Sequence, residues 1–392
     1  MSALVSQLKS LVLKTLDTIY PSSWFRIDAN KVVVTSFRGK PYSGNPGRIA
    51  TALHSIEPDL DIVWLALDPS EPVPEGVRVV KYNSLASYRE LATAKVWIDD
   101  FRKKYFPRKK VDQIYYQVWH GVLPLKKIEL DAAAKLDRMY LAEAKRDGEN
   151  TDYMLAGNDF TAQVYENAFW FKGQVLRFGT PSLDNIIGAK QADIAHETKR
   201  KLGLADTEKV FFYCPTFRDH FDVSDFDLHA EALRKQLHKR LGGTWTILIR
   251  LHPNAREHEA EVLKANPGAV GVTNFPDLSA LIMTADLVVT DFSSVMFDSL
   301  YADRPTFILA QDYDDYVNGE RGVYDIIHKL PFTVTKTPEA LISSINQFSP
   351  DEYAHKRQAF LNLIGDHESG ESAVLLAKHV VAKMKGETVD DA

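Results

Sequence analysis

Residues 287–298 read Leu287-Val288-Val289-Thr290-Asp291-Phe292-Ser293-Ser294-Val295-Met296-Phe297-Asp298. The opening apolar, β-branched run suits a strand buried on both faces. A polar turn follows, then a second apolar segment entered through serine, a favoured residue at a helix start. Strand, short turn and helix in that order make half of a βαβ unit, and the same order recurs on both sides. Val210–Cys214, Thr246–Leu251, Val270–Thr273 and Thr306–Leu309 read as further strands, with helices over Glu231–Arg240, Glu257–Ala265, Leu278–Thr284 and Ser294–Tyr301.

An earlier series has the same pattern. Lys31–Ser36, Asp61–Leu67, Val77–Tyr82, Ala94–Ile98, Ile114–Trp119, Tyr153–Ala156 and Gln174–Arg177 read as strands, and Arg48–Ser55 and Ala132–Lys145 as helices. The polar stretch Gly188–Leu204 separates the two series. The fold class is therefore α/β, with two doubly wound, Rossmann-like parallel-sheet domains facing a cleft, where ligands gather at the carboxyl ends of the strands. The expected division is an amphipathic N-terminal helix over 1–24, a first domain over 25–195 and a second over 196–392. Two closing helices, about 351–364 and 370–385, are free to cross back. No repeat of 20–50 residues is present.

Composition narrows the class. The 392 residues are 45% hydrophobic and 26% charged, with 47 Lys+Arg against 53 Asp+Glu, which excludes a disordered chain or a collagen-like repeat. The single cysteine, Cys214, cannot form an internal disulfide and points to a reducing compartment. No run approaches the ~20 apolar residues that span a bilayer. Lys9, Lys14 and Asp17 interrupt what would be the apolar region of a signal peptide. A net charge of −6 argues against a general nucleic-acid binder. Within 2–20, Leu4, Val5, Leu8, Leu11, Val12, Leu16 and Ile19 form one apolar face. That helix either folds onto the first domain or lies in the plane of a membrane surface.

GxxxxGK[ST], GxGxxG, GxSxG, CxxC and HExxH are all absent, which removes the usual support for P-loop, dinucleotide, serine-hydrolase and zinc chemistry. The string Asp312, Asp314 and Asp315 reads as a solvated acidic loop before it reads as a cation site.

Several strand ends do carry chemistry. In Gln117-Val118-Trp119-His120-Gly121-Val122-Leu123-Pro124-Leu125-Lys126-Lys127 an apolar strand stops at His120, with Gly121 placed for a sharp turn. Histidine exchanges protons near neutral pH, and Lys126 and Lys127 add positive charge nearby. In Ile249-Arg250-Leu251-His252-Pro253, Arg250 and His252 project to one side of a strand, a pair suited to phosphate oxygens. A structural salt bridge and a loop cap are the competing reading. Tyr213-Cys214-Pro215-Thr216-Phe217-Arg218-Asp219 offers Thr216 and Arg218, and the turn after Thr290 offers Asp291, Ser293 and Ser294. Between Ser36 and Pro46, Arg38 and Lys40 make a phosphate clamp, and Asn45-Pro46 reads as a helix cap with proline at the first helical position. Finally, Arg102, Lys103, Lys104, Arg108, Lys109 and Lys110 are interleaved with aromatics. They form a solvated loop, a nucleic-acid site or, in the preferred reading, a patch for anionic lipid, where each cation contributes ~1 kcal/mol.

Taken in order, the Trp-His-Gly-x-x-Pro-Leu-Lys, Tyr-Cys-Pro-Thr-Phe-Arg-Asp, Arg-Leu-His-Pro and Thr-Asp-Phe-Ser-Ser-x-x-Phe-Asp strings resemble the CDP-glycerol:glycerophosphotransferase family of teichoic acid primases and polymerases, including capsule polyol-phosphate transferases. The likeness covers about residues 30–370. Gly365-Asp366-His367-Glu368-Ser369-Gly370 matches the family's polar turn loosely. The resemblance implies a GT-B-like fold, no essential metal and no cofactor. It implies catalytic roles for His120 and His252, donor contacts from Thr216, Arg218, Arg250, Thr290, Asp291, Ser293, Ser294 and Asp298, and acceptor contacts from Arg38, Lys40, Asn45, Lys126 and Lys127. The implied partners are CDP-glycerol or CDP-ribitol, an undecaprenyl-diphosphate-linked saccharide and the cytoplasmic membrane face, with peripheral attachment. The modest chain length suits priming or single addition better than long-chain polymerisation. Alternatives are a sugar-nucleotide glycosyltransferase on the same architecture and a non-catalytic wall-polymer-binding membrane module.

Overall fold

The structure is a computed structural model that describes residues 21–40, 42–103, 107–188, 190–216, 221–319 and 321–388. The amphipathic segment 2–20, Lys104 and Arg218 lie outside the described residues. The chain divides into two compact units. One runs to Asp184 and resumes at Gly365, and the other is Asn185–Ile364.

The first unit holds a seven-stranded sheet in the order β3-β2-β1-β4-β5-β6-β7. Its strands are β1 Asp28–Thr35, β2 Asp61–Ala66, β3 Val77–Lys81, β4 Ala94–Asp99, β5 Ile114–Gln117, β6 Tyr153–Leu155 and β7 Gln174–Leu176. Every pairing is parallel. Val32–Val34, Ile62–Ala66 and Val96–Ile98 are buried throughout, as strands covered on both faces must be. The order reverses between β1 and β4, so the switch point, where open α/β sheets bind ligands, lies between the loops after Thr35 and Asp99.

The second unit repeats the plan with six strands, β10-β9-β8-β11-β12-β13. These are β8 Lys209–Cys214, β9 Trp245–Ile249, β10 Val270–Gly271, β11 Leu287–Thr290, β12 Thr306–Leu309 and β13 Thr333–Thr335. Its pairings are also all parallel, with the switch point between β8 and β11. The strand β13, three residues long and mostly exposed, carries too little apolar pattern to be read from sequence.

The unit boundaries differ from the expected 195/196 division for packing reasons. The helix Gln191–Leu202 packs on Leu278–Thr284, which assigns it to the second unit. The last helix, Ser372–Lys385, returns to the first: Ala373, Leu376, Ala377 and Val380 share a core with Ile49 and Leu53 of the helix Gly44–Ile56. Each fully buried leucine or valine there contributes roughly 1.5–3 kcal/mol. Asp184 secures the return by accepting from the N–H groups of Ser372 and Ala373 at 2.9 and 2.8 Å, an acidic cap supplied from far along the chain.

Two local readings need correction. The helix expected over Ala132–Lys145 is a 3-10 segment, Glu129–Lys135, followed by a helix over Arg138–Asn150. Asp137 resets the start by accepting from Met139 and Tyr140 N–H groups. The helix after β1 begins at Gly44 with Ser43 as its N-cap, so Asn45 is inside it and Pro46 follows one position later.

Candidate active site

In the first unit three loops meet at the carboxyl end of the sheet, after β1, β4 and β5. His120 follows β5, and its Nδ1 lies 2.8 Å from the Asp100 carbonyl oxygen. A carbonyl only accepts, so Nδ1 carries the hydrogen and the neutral ring presents the Nε2 lone pair as its basic atom. Phe101 and Trp119 stack on the imidazole at 5.1 and 4.6 Å, and Phe37 tilts against it at 5.2 Å. The residue is solvent-exposed at its rim, while the aromatic crowding lowers its pKa. Burial is the leading cause, the Asp100 carbonyl opposes it and the Arg102 charge assists. His120 is thus held in the neutral form that a general base needs.

The backbone around the ring is strained. Phe37, Arg38 and Trp119 adopt positive φ values of 42°, 60° and 46°, which are uncommon for non-glycine residues and concentrate at functional sites. The sharp turn expected at Gly121 is made at Trp119 instead. Gly121 has no positive φ, and a Cβ there would meet nothing within 4 Å.

Asp100 ties the loops together. Its Oδ2 accepts from Ser36 Oγ at 2.8 Å and its Oδ1 from Phe37 N–H at 2.7 Å. Burial pushes its carboxyl up to about 7, with adjacent Asp99 reinforcing the shift. Behind it Asp99 pairs with Lys103, and Asp147 accepts from the Lys103 N–H and the Tyr115 hydroxyl.

The predicted acceptor residues separate. Arg38 sits 4.4 Å over the Phe101 ring and Lys40 5.7 Å from that of Phe37, so both belong to the His120 surroundings. Lys126 and Lys127 are exposed further along the loop. Asn45 is buried and structural. Its amide nitrogen donates to the carbonyls of Val118 and Trp119 at 3.3 and 3.0 Å, and its oxygen accepts from Ser182 N–H. Both ends of the amide are engaged inside the protein, which removes Asn45 as an acceptor contact.

Four cations of the basic run, Arg102, Lys103, Lys109 and Lys110, are engaged within the first unit. Arg102 is buried, paired with Glu129 at 3.3 Å and stacked on Tyr140. Lys103 is 5% exposed against Asp99. Lys109 pairs with Asp152, and Lys110 donates to the carbonyls of Phe25 and Ala92. Arg102 and Lys103 compensate the buried carboxylates of Glu129 and Asp99, which costs less than leaving either unpartnered. Arg108 is exposed.

In the second unit the Arg250 guanidinium donates to the carbonyls of Val272 and Phe275, and burial lowers its pKa. Two residues on, His252 caps the 3-10 segment Pro253–His258, its Nδ1 accepting from Asn254 N–H at 3.2 Å. The neutral ring therefore carries its hydrogen on Nε2 and presents a donor, the reverse of His120. Asp291 Oδ2 accepts from both N–H and Oγ1 of Thr216, at 2.9 and 2.7 Å. Thr290 is fully buried and donates to the Cys214 carbonyl, so it is structural. The turn after Asp291 leads through Ser293 and Ser294 into a helix over Val295–Tyr301, with Ser294 as the N-cap. Asp298, on that helix, has its carboxyl pushed up to about 7 by burial. Burial raises the Cys214 thiol to about 12, with the Arg250 charge opposing the rise and the Asp291 and Asp298 charges adding to it.

The profile of the CDP-Glycerol:Poly(glycerophosphate) glycerophosphotransferase family matches residues 18–382. The chain belongs to this family. The Staphylococcus epidermidis teichoic acid poly(glycerol phosphate) polymerase is 30% identical over 359 residues, 87% of this chain and 49% of that protein. The Staphylococcus aureus teichoic acid glycerol-phosphate transferase is 29% identical over 371 residues, 88% of this chain and 91% of that protein. The chain thus spans about half the length of the polymerase it matches at 30% identity, but most of the transferase. Among solved structures, the wall teichoic acid polymerase TagF superposes with a TM-score of 0.80 at 26% identity, covering 98% of this chain and 95% of that one. A variant of it soaked with CDPG superposes at 0.77. Two doubly wound parallel sheets, one in each unit, agree with the expected GT-B-like fold class.

Sequence reasoning passed over Asp100, Asp99 and Asp147, although a signal was present. Each half of this family member has a hydroxyl residue followed by Phe-Arg after its first strand, Ser36-Phe37-Arg38 and Thr216-Phe217-Arg218. Each also has Asp-Phe after its fourth, Asp100-Phe101 and Asp291-Phe292. In both units the aspartate accepts from the hydroxyl of the first string.

Proposed function

We propose that this chain is a CDP-glycerol glycerophosphotransferase of teichoic acid or related polyol-phosphate polymer synthesis. It transfers glycerol phosphate to a hydroxyl of an undecaprenyl-diphosphate-linked saccharide at the cytoplasmic membrane face, as a priming or single-addition enzyme. The acceptor oxygen attacks the β-phosphorus of CDP-glycerol. The bond from that phosphorus to the bridging oxygen breaks, CMP departs with the electron pair, and a phosphodiester remains. His120 Nε2 takes the hydroxyl proton. His252 Nε2–H donates to the departing phosphate, with Arg250 supplying positive charge. Ser293, Ser294 and Thr216 hold the nucleotide phosphates, and Arg38 and Lys40 face the acceptor diphosphate. Positioning and charge stabilisation account for most of such catalysis.

The observation that carries this reading is the Nδ1 contact of His120 with the Asp100 carbonyl inside a shell of aromatic rings, which leaves a neutral imidazole with Nε2 as its acceptor. Arg102 and Lys103 of the basic run are turned inward, which leaves Arg108 as its exposed cation among the described residues. Among the described residues no helix is long and apolar enough to cross a membrane.

Product analysis tests the proposal. The full chain is incubated with CDP-glycerol and a lipid-linked saccharide analogue. CMP together with a glycerol-phosphate adduct is the expected result. Release of a nucleoside diphosphate from a sugar nucleotide would support the glycosyltransferase alternative, and binding without nucleotide release would support the non-catalytic one.

A further inference from the structure

We propose that Asp100 is a positioning residue that sets the orientation and tautomer of His120 by locking the loop after β1 to the loop after β4. The inference rests on the reading of His120 as the general base. Asp100 acts at both ends: its carboxylate holds Ser36 Oγ and Phe37 N–H, and its own carbonyl holds His120 Nδ1. The residue is fully buried. Its grip fixes Phe37 and Arg38 in a left-handed backbone that would otherwise relax, at a cost of about 1–3 kcal/mol per residue. Phe37 in turn packs on the imidazole, and Arg38 lies over Phe101, the ring stacked on it. Losing the carboxylate frees the β1 loop, lets the Asp100 peptide rotate, and withdraws the carbonyl that keeps the hydrogen on Nδ1.

Asp291 makes the same lock in the second unit, gripping Thr216 through N–H and Oγ1. Both aspartates directly follow a strand residue paired with the end of the unit's first strand, Asp99 with Thr35 and Thr290 with Cys214. The device belongs to the plan of each switch point, and at Asp100 it has acquired the histidine as a third partner.

The test uses the full chain with Asp100→Ala, Asp100→Asn and Ser36→Ala, read by steady-state kinetics, thermal unfolding and the tautomer of His120 from isotope-labelled histidine spectra. For Asp100→Ala we expect kcat to fall roughly 10–100-fold, the scale of a sub-ångström misplacement, with the KM for CDP-glycerol unchanged. The His120 hydrogen should move from Nδ1 to a mixture of both nitrogens. Asp100→Asn, which keeps an acceptor for Phe37 N–H, should recover most of the loss. Ser36→Ala gives a smaller effect in the same direction and serves if Asp100→Ala does not fold. A wild-type kcat and tautomer in the folded variants would overturn the proposal, as would a loss of kcat that only follows the folded fraction. The tautomer readout is independent of turnover, so it stands or falls separately from the role of His120 as base.

Discussion

Asn254 donates its backbone N–H to Nδ1 of His252 at 3.2 Å, which leaves the hydrogen of the neutral ring on Nε2. His120 is held the opposite way, with its hydrogen on Nδ1. One ring thus presents an acceptor and the other a donor, matching the base and donor roles proposed for them. For His252→Ala we expect kcat to drop by roughly 10²–10³-fold, the effect of losing one preorganised donor to developing charge. His252→Gln, which restores an N–H donor, should retain more activity than alanine. Equal loss in both variants, by single-turnover kinetics, would count against a donor role.

The pH profile follows from the lowered pKa of His120. The active form is neutral, so kcat/KM is on its plateau above that pKa and falls as pH drops through it. Because burial depresses the value, the acid limb should lie below about 6.5, the ordinary histidine value. A limb clearly above that value in the wild-type profile, assigned to His120 by its loss in a His120 variant, would contradict the aromatic-shell account.

Gly121 offers a probe of the proposed acceptor space. A methyl group at this position meets no protein atom and needs no special backbone, so Gly121→Ala should leave stability within about 0.5 kcal/mol. The added carbon enters the space beside His120, and the KM for the acceptor should rise while that for CDP-glycerol does not. An unchanged acceptor KM would mean that the substrate does not pass there.

Glu368 gives the returning segment a pH signature. Its Oε2 accepts from Thr180 N–H at 2.7 Å, and among the described residues Oε1 has no hydrogen-bond partner. Burial raises the carboxyl to about 8. The folded state therefore holds a proton that the unfolded chain releases near 4.5, so stability falls as pH rises across that window and levels off above about 8. Glu368→Gln should flatten this slope in thermal unfolding at several pH values. Gly157→Ala, whose Cβ would overlap Glu368 Oε1 and lie 2.7 Å from Thr180 Oγ1, should cost about 1–3 kcal/mol through overpacking.

The sequence makes much of this legible, for definite reasons. Buried parallel strands read as continuous apolar runs, so β1, β2, β4, β8 and β11 stand out, and His120 and His252 are visible because each lies three residues past the end of a strand, β5 and β9. Contacts made across the chain are not legible. Asn45 looks like a helix cap until the carbonyls of Val118 and Trp119 are seen against its amide. The basic run from Arg102 to Lys110 looks solvated because its partners Glu129, Asp152 and Asp99 lie in other elements or appear as ordinary acidic residues. Asp100 looks like a strand-end residue because its partners, Ser36 and Phe37, are more than sixty positions away. The return of Ser372–Lys385 to the first unit is secured by Asp184, 188 positions before Ser372.

The most direct measurement is the turnover of His120→Ala with CDP-glycerol and a lipid-linked acceptor analogue, followed as CMP, beside its unfolding curve. Loss of the base predicts a fall of roughly 10²–10⁴-fold with an unfolding transition close to that of the unmodified chain. Turnover equal to the unmodified chain, from a preparation folded to the same extent, would contradict the account at its centre.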